Sequence, residues 1–416
     1  MPEFSLVRNS QFGTLGLAAQ DFKAGATLDT ARAHTPFSIG RRQTSDLYSM
    51  SSIETNIRSV TCIVGARPNF MKIAPIMEEL GRNPRFRTRL IHTGQHFSPE
   101  MSDAFFRDLG IPEPDQCLGV APGSQTEQTA AMMRALETSF LQARPDLVVV
   151  VGDVTSTLAA ALVAARLQIP VAHVEAGLRS FDRRMPEEIN RLVTDTVSDY
   201  LFVSEPSGIR NLRKEGVPEE KIFFVGNVMI DSLLRFRERA MHSDILERLQ
   251  VFPKEYALVT LHRPSNVDDL DQLSRMAELL NDVAKRLPVV FPIHPRTRQR
   301  MTDGRIDTDG LILTPPMGYL EFLRLMAECR FVLTDSGGIQ EETTVLGVPC
   351  LTLRDNTERP ITVEQGTNRL VGTDPAAART AIAELLSNGF APGRVPELWD
   401  GQASVRIVEI LDNHLV

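Results

Sequence analysis

From Val60 onward, short apolar runs alternate with longer amphipathic stretches. Apolar runs at 60–64, 89–92, 147–151, 171–174, 201–203 and 222–225 read as strands. Between them, spacing of three and four residues predicts helices over 70–80, 99–109, 126–141, 155–167, 186–197 and 205–215. The run Leu147-Val148-Val149-Val150-Val151 carries no polar alternation, as expected of a strand buried on both faces of a parallel sheet. The pattern restarts at 256–261, with further strands at 289–293, 311–313, 331–334 and 350–353. Helices are predicted there over 268–286, 319–328, 338–346 and 374–387. Strands alternating with helices imply right-handed crossovers and parallel sheets. A charged segment near 232–253 separates the two sets. The expected organisation is therefore an α/β chain with two doubly wound, Rossmann-like domains facing a cleft. They would span 59–235 and 236–398, and a final helix in 399–416 would pack back on the first.

Residues 1–58 break this pattern. They are rich in Ser, Thr, Ala and Gly, without sustained period, and read as a disordered extension. No apolar stretch follows a basic start, so this is not a secretory signal, and Met50 is an alternative start. The length of 416 residues suits two or three domains. The net charge of −8 argues against a nucleic-acid partner. No apolar run reaches the roughly 18–20 residues of a membrane span. Cys62, Cys117, Cys329 and Cys350 are widely spaced, which fits reduced thiols and a cytoplasmic protein rather than a disulfide framework or zinc site.

The unusual polar residues follow the strands, where doubly wound sheets bind ligands. Gly65-Ala66-Arg67-Pro68-Asn69 follows the first strand, with Lys72 one turn into the next helix. Gly152-Asp153 ends the all-valine strand, and Glu175-Ala176-Gly177-Leu178-Arg179 ends the next. His262-Arg263-Pro264 and His294-Pro295-Arg296 end strands of the second set. After 331–334 comes Asp335-Ser336-Gly337-Gly338, whose glycines let backbone approach a ligand where a helix N-terminus favours phosphate. Glu341 or Glu342, one turn on, can reach ribose hydroxyls. Arg67, Lys72, His262 and the glycine turn would balance a diphosphate. Asp153, Glu175 and Glu187 would surround the other half of the ligand, where crowding raises carboxyl pKa values toward those suited to acid–base work. These residues point to a nucleotide-sugar. GxGxxG, a P-loop and HExxH are all missing from the sequence, so neither a nicotinamide cofactor nor a catalytic metal is expected.

The motifs also occur in a recognisable order. They are GARPNFMK at 65–72, TGQH at 93–96, GD at 152–153, HVEAGLR at 173–179, PEEINR at 186–191, HRPSN at 262–266, SGGIQEE at 336–342 and RDNTERP at 354–360. Over about 59–412 the chain resembles the non-hydrolysing UDP-N-acetylglucosamine 2-epimerases. The resemblance implies a glycosyltransferase-B-type fold, a homodimer and reversible interconversion of UDP-GlcNAc and UDP-ManNAc, without a cofactor. UDP would be eliminated to give 2-acetamidoglucal and then re-added, supplying ManNAc for surface polysaccharide. It also implies catalytic roles for Asp153, Glu175, Glu187 and His262, with the base and the acid left open. Arg67, Lys72, Arg179, Arg191, Ser336, Gly337, Gly338, Glu342 and Arg359 would bind substrate, Glu342 at the ribose. Gln95 and His96 would fall near a regulatory UDP-sugar site. Many members carry Glu where Asn69 and Ser265 stand, both expected beside the cleft. The forms present here resemble those of relatives acting on other UDP-2-acetamido sugars, including diacetamido uronic acids. The alternatives are thus a 2-epimerase for such a sugar and, from another class, a retaining glycosyltransferase of the same fold.

Overall fold

The computed structural model describes residues 57–94, 110, 112–121 and 123–415. The expected extension up to residue 56, Gln95, His96 and the helix expected at 99–109 lie outside the described residues.

Among the described residues, thirteen strands form two wholly parallel sheets. The first contains β1 (Arg58–Val64), β2 (Phe86–His92), β3 (Gln116–Cys117), β4 (Leu147–Val151), β5 (Val171–Val174), β6 (Tyr200–Val203) and β7 (Ile222–Phe224). Its spatial order is β3-β2-β1-β4-β5-β6-β7. The second contains β8 (Ala257–Thr260), β9 (Val289–Pro292), β10 (Leu311–Thr314), β11 (Phe331–Thr334), β12 (Cys350–Thr352) and β13 (Asn368–Leu370), in the order β10-β9-β8-β11-β12-β13. These are the two doubly wound sheets that the sequence predicts. In each, the strand order reverses beside the first strand, between β1 and β4 and between β8 and β11. Crevices open at such reversals beyond the carboxyl ends of the strands.

Burial explains why these strands read so clearly. All five residues of β4 are fully buried, and helices cover both faces of the sheet. The short edge strands β3 and β13 carry polar or exposed residues, which is why no apolar run announces them.

The charged segment expected to separate the two sets is largely helical, with a helix at Val228–Met241 and another at Ile245–Leu249. Arg235, Arg237, Glu238 and Arg239 are exposed, while Val228, Leu233, Phe236 and Ala240 are buried. The helix Val228–Met241 packs against Arg67–Arg82 on one side and against Tyr319–Glu328 and Gly337–Leu346 on the other. It therefore belongs to the core shared by the two sheets.

The helix Ala403–His414 packs against Arg67–Arg82 and Val228–Met241. Its start is fixed by Asp231, whose carboxylate accepts from the backbone N–H groups of Ala403 and Ser404 and from the Ser404 hydroxyl. The Arg406 guanidinium donates to Val225 O at 3.0 Å and to Leu398 O at 3.5 Å. The buried Trp399 indole donates to Ser204 O at 2.9 Å. These bonds bundle two passages of the chain, at 225–228 and 398–403, into one place. Among the described residues no helix is long and apolar enough to cross a membrane.

Candidate active site

The two strand-order reversals face one another across a cavity of about 570 Å³. One wall is Ala66, Pro68, Met71 and Lys72 after β1, Asp153 and Val154 after β4, and Glu187 at the start of the helix Pro186–Val197. The other is His262 and Arg263 after β8, Ser336 to Ile339 after β11, and Glu342, Glu358 and Arg359. Met229, Tyr319 and Phe322 supply apolar surface. A parallel sheet places all its strand ends at one edge, which is how motifs so distant in sequence meet here.

An uncapped helix start opens on the second wall. The helix Gly337–Leu346 starts after Ser336, whose side chain makes no capping bond. Its first N–H groups and its positive dipole end are therefore directed at the cavity. A β-carbon on Gly337 would lie 2.5 Å from Arg359 Nη1, so glycine is what lets that guanidinium close on the turn.

On the first wall, Gly152 has φ +68, a backbone conformation that suits glycine, and a β-carbon there would lie 2.9 Å from Lys72 Nζ. Lys72 donates to Glu175, and both are buried. Asp153, its side chain about a quarter exposed, accepts from Arg191. Burial pushes the Asp153 carboxyl up, but Arg191, Lys72 and Arg359 outweigh it and hold it below the ordinary value. Asp153 thus faces the cavity as a carboxylate. Glu187, 38 % exposed, has Arg263 Nη1 at 4.0 Å.

Arg359 organises the floor. Its Nε stands 2.8 Å from Glu341 Oε1, Nη1 donates to Glu358, and Nη2 is 3.7 Å from Glu175. Burial raises the Glu358 carboxyl, yet Arg359, Arg354 and Arg191 together hold it far below the usual range. Glu342 is governed by burial instead. Burial pushes it up to about 7, against the pull of the Tyr319 hydroxyl, which donates to it at 2.7 Å.

The predicted residues fall into three groups. Lys72, Asp153, Glu187, His262, Ser336, Gly337, Gly338, Glu342 and Arg359 line the cavity. Glu175 and Arg191 stand one layer back and hold Lys72 and Asp153. Arg179 is not brought to the site. Its guanidinium is locked by Glu215 and Asp195, each at 2.6 Å, because Asp195 is already fixed by His173. His173 in turn reaches Gly152 O at 2.8 Å, so this network props the turn that carries Asp153. The backbone of Arg67 opens its helix after β1, while Gln95 and His96 lie outside the described residues. Asn69, expected beside the cleft, is buried and spent on backbone: Oδ1 accepts from Gly65 and Ala66, and Nδ2 donates to Val151 O. Ser265 is exposed and does not line the cavity. Of the two candidate glutamates, Glu342 faces the cavity, and Glu341 turns inward to Arg359 and Asn227. Sequence reasoning passed over Tyr319, Phe322 and Met229, which come from ordinary amphipathic helices with no motif to mark them. Glu358 was legible in principle, since it sits inside RDNTERP.

Residues 78–412 match the model of the UDP-N-acetylglucosamine 2-epimerase family. The chain belongs to this family. It is 41 % identical over 362 residues to the UDP-N-acetylglucosamine 2-epimerase of Methanocaldococcus jannaschii, covering 85 % of this chain and 98 % of that protein. It is 43 % identical over 362 residues to the UDP-2,3-diacetamido-2,3-dideoxy-D-glucuronate 2-epimerase of Pseudomonas aeruginosa, covering 85 % and 99 %. The crystal structure of the M. jannaschii enzyme in complex with UDP-GlcNAc and UDP superposes with a TM-score of 0.80 at 40 % identity, covering 85 % of this chain and 99 % of that one. The two-domain glycosyltransferase-B-type fold of this 2-epimerase family is therefore the fold of this chain.

The buried carboxyls give the family member a pH signature. Glu205 and Glu342 are both pushed up to about 7, chiefly by burial, from an ordinary 4.5. Between those values the folded protein holds more protons than the unfolded chain, so stability falls as pH rises through that window. The depressed carboxylates of Asp153, Asp335 and Glu358 act oppositely, but their contribution is lost only as pH falls below about 4. Thermal unfolding should give a higher Tm near pH ~5 than near pH ~8, and Glu342→Gln should narrow the gap. A gap unchanged in that variant would mean Glu342 does not titrate there.

Proposed function

We propose that this chain catalyses reversible C2 epimerisation of UDP-N-acetylglucosamine to UDP-N-acetylmannosamine. The observation that carries this is one cavity in which an uncapped helix N-terminus, His262 and Arg359 on one wall face Lys72 and the carboxylates of Asp153 and Glu187 on the other. The cations and N–H groups suit a diphosphate, and Glu342 suits the ribose. The hydrogen at sugar C2 is not beside a carbonyl, so its loss needs a concerted departure of UDP from C1. Asp153, held charged by Arg191, takes the C2 proton as UDP leaves, giving 2-acetamidoglucal. Glu187 returns a proton to the opposite face of C2 while UDP adds back at C1. Preorganised donors stabilise the charge growing on the leaving diphosphate. The reading places the enzyme in the cytoplasm as a homodimer that supplies ManNAc units for a surface polysaccharide. Its four free cysteines agree with a reducing compartment.

Proton NMR of the full chain with UDP-GlcNAc in deuterated water tests this. The expected result is UDP-ManNAc carrying deuterium at C2. A second reading, favoured by the 43 % identity to the P. aeruginosa enzyme, takes a UDP-2,3-diacetamido uronic acid through the same chemistry. Asn69 lends it no weight, since its amide is consumed by the β1 turn. Turnover of the uronic acid alone would select the second reading, and exchange with neither sugar would sink both.

A further inference from the structure

Asp335 sits at the strand-order reversal of the second sheet, directly after β11, and is fully buried. It does not line the cavity, and the acid–base scheme above does not use it. Yet one face of its carboxylate is turned on His262, which does line the cavity. Oδ2 accepts from the backbone N–H of Arg263 at 2.9 Å, from the backbone N–H of His262 at 3.0 Å, and from Asn266 Nδ2 at 3.0 Å. Oδ1 lies 2.8 Å from His262 Nδ1. Asn266 is itself fully buried and also donates to Leu353 O, so the bracket cannot drift. The His262 ring is 56 % exposed and would turn freely without it.

We propose that Asp335 is the positioning residue of His262: it fixes the ring proton on Nδ1 and leaves Nε2 as the nitrogen that meets the diphosphate. A carboxylate is acceptor-only, so the nitrogen facing it must carry hydrogen. Nε2 can then hold a second proton and donate it to a phosphate oxygen, with Asp335 balancing the imidazolium. The other charged groups lining the cavity are Arg263, Glu342, Glu358 and Arg359 on the same wall, with Lys72, Asp153 and Glu187 across it. The inference rests on the proposed reading only for the identity of the diphosphate.

Asp335→Asn gives a directional test. The Arg263 N–H and Asn266 Nδ2, which bind Oδ2 alone, with the shorter branch of the His262 N–H that Oδ1 shares at 3.2 Å, would keep the amide oxygen on their side. The amide NH₂ would then face Nδ1, force it to accept, and move the ring proton to Nε2. In the full chain labelled with ¹⁵N-histidine, His262→Gln assigns the ring signals. The expected result is a neutral His262 protonated on Nδ1 in the wild type and on Nε2 in Asp335→Asn. UDP affinity, by calorimetry, should fall about tenfold or more in Asp335→Asn, as for a lost charge-assisted bond. The wild-type spectrum stands alone if the variant fails to fold: a neutral ring protonated on Nε2 there overturns the proposal. So does a folded Asp335→Asn that binds UDP as tightly as the wild type. Neither readout requires turnover, so a chain with the expected tautomer and no epimerisation would refute the proposed reaction and leave Asp335 in its role.

Discussion

Arg359→Ala should leave the protein about 3–5 kcal/mol less stable and without measurable turnover, the largest single effect expected in this chain. The guanidinium is buried among three carboxylates, those of Glu341, Glu358 and Glu175. Each of them is kept from water by the same packing that hides the arginine. Removing the cation leaves like charges facing one another with no solvent to screen them. Burial already drives Glu341 upward, and Arg359 is its main restraint. The variant should therefore regain part of its stability when Glu341→Gln is added, because the amide has no charge to strand. Denaturant unfolding of the single and double variants measures both numbers. A loss below about 1 kcal/mol in Arg359→Ala would show that the buried cluster does not depend on its cation.

The second large effect is on rate. Asp153→Asn should lower kcat about 10²–10⁴-fold, the usual range for one positioned proton-transfer group, with UDP affinity nearly unchanged. The amide keeps the shape of the side chain and one acceptor for Arg191, so the wall should hold. What it loses is the negative charge that Arg191, Lys72 and Arg359 maintain. Deuterium incorporation at C2 separates proton abstraction from binding. Continued exchange at the wild-type rate in Asp153→Asn would remove Asp153 as the acceptor and turn attention to Glu187. Glu175 is the weaker candidate on geometry, since it is buried behind Lys72 and does not line the cavity.

Much of the fold was legible because buried parallel strands have no polar alternation to hide behind. β4 and β5 could be placed from their side chains alone, and their order in the chain implied the crossovers. β3 and β13 escaped because a short edge strand need not be apolar. The segment near 232–253 was read only as a charged stretch between the two sets, and its helices went unassigned. Periodicity within it, with Leu233, Phe236 and Ala240 on one face, was the signal for a helix.

The site was legible for a different reason. Strand ends share an edge, so polar residues after strands collect in one place whatever their distance in sequence. A shared edge does not fix which residue of a motif turns outward. Glu175 has φ +73, and the left-handed turn sends its carboxylate toward Lys72 rather than into the cavity. Arg179, four residues on, is taken by Asp195 and Glu215, and nothing local in the sequence marks those partners. Contacts between the two walls, such as Arg359 with Glu175, depend on how two sheets are docked.

The docking itself has a mechanical reading. A single strand of chain joining two bodies is a ball joint, free to swivel in every direction. Here two strands of chain cross side by side, tied by Arg406 to the carbonyls of Val225 and Leu398 and by Asp231 to the start of the last helix. Such a pair behaves as a door hinge: it permits swing about one line and resists sliding and twist. Geometry of that kind makes the separation of the two cavity walls answer to a few bonds at the crossing.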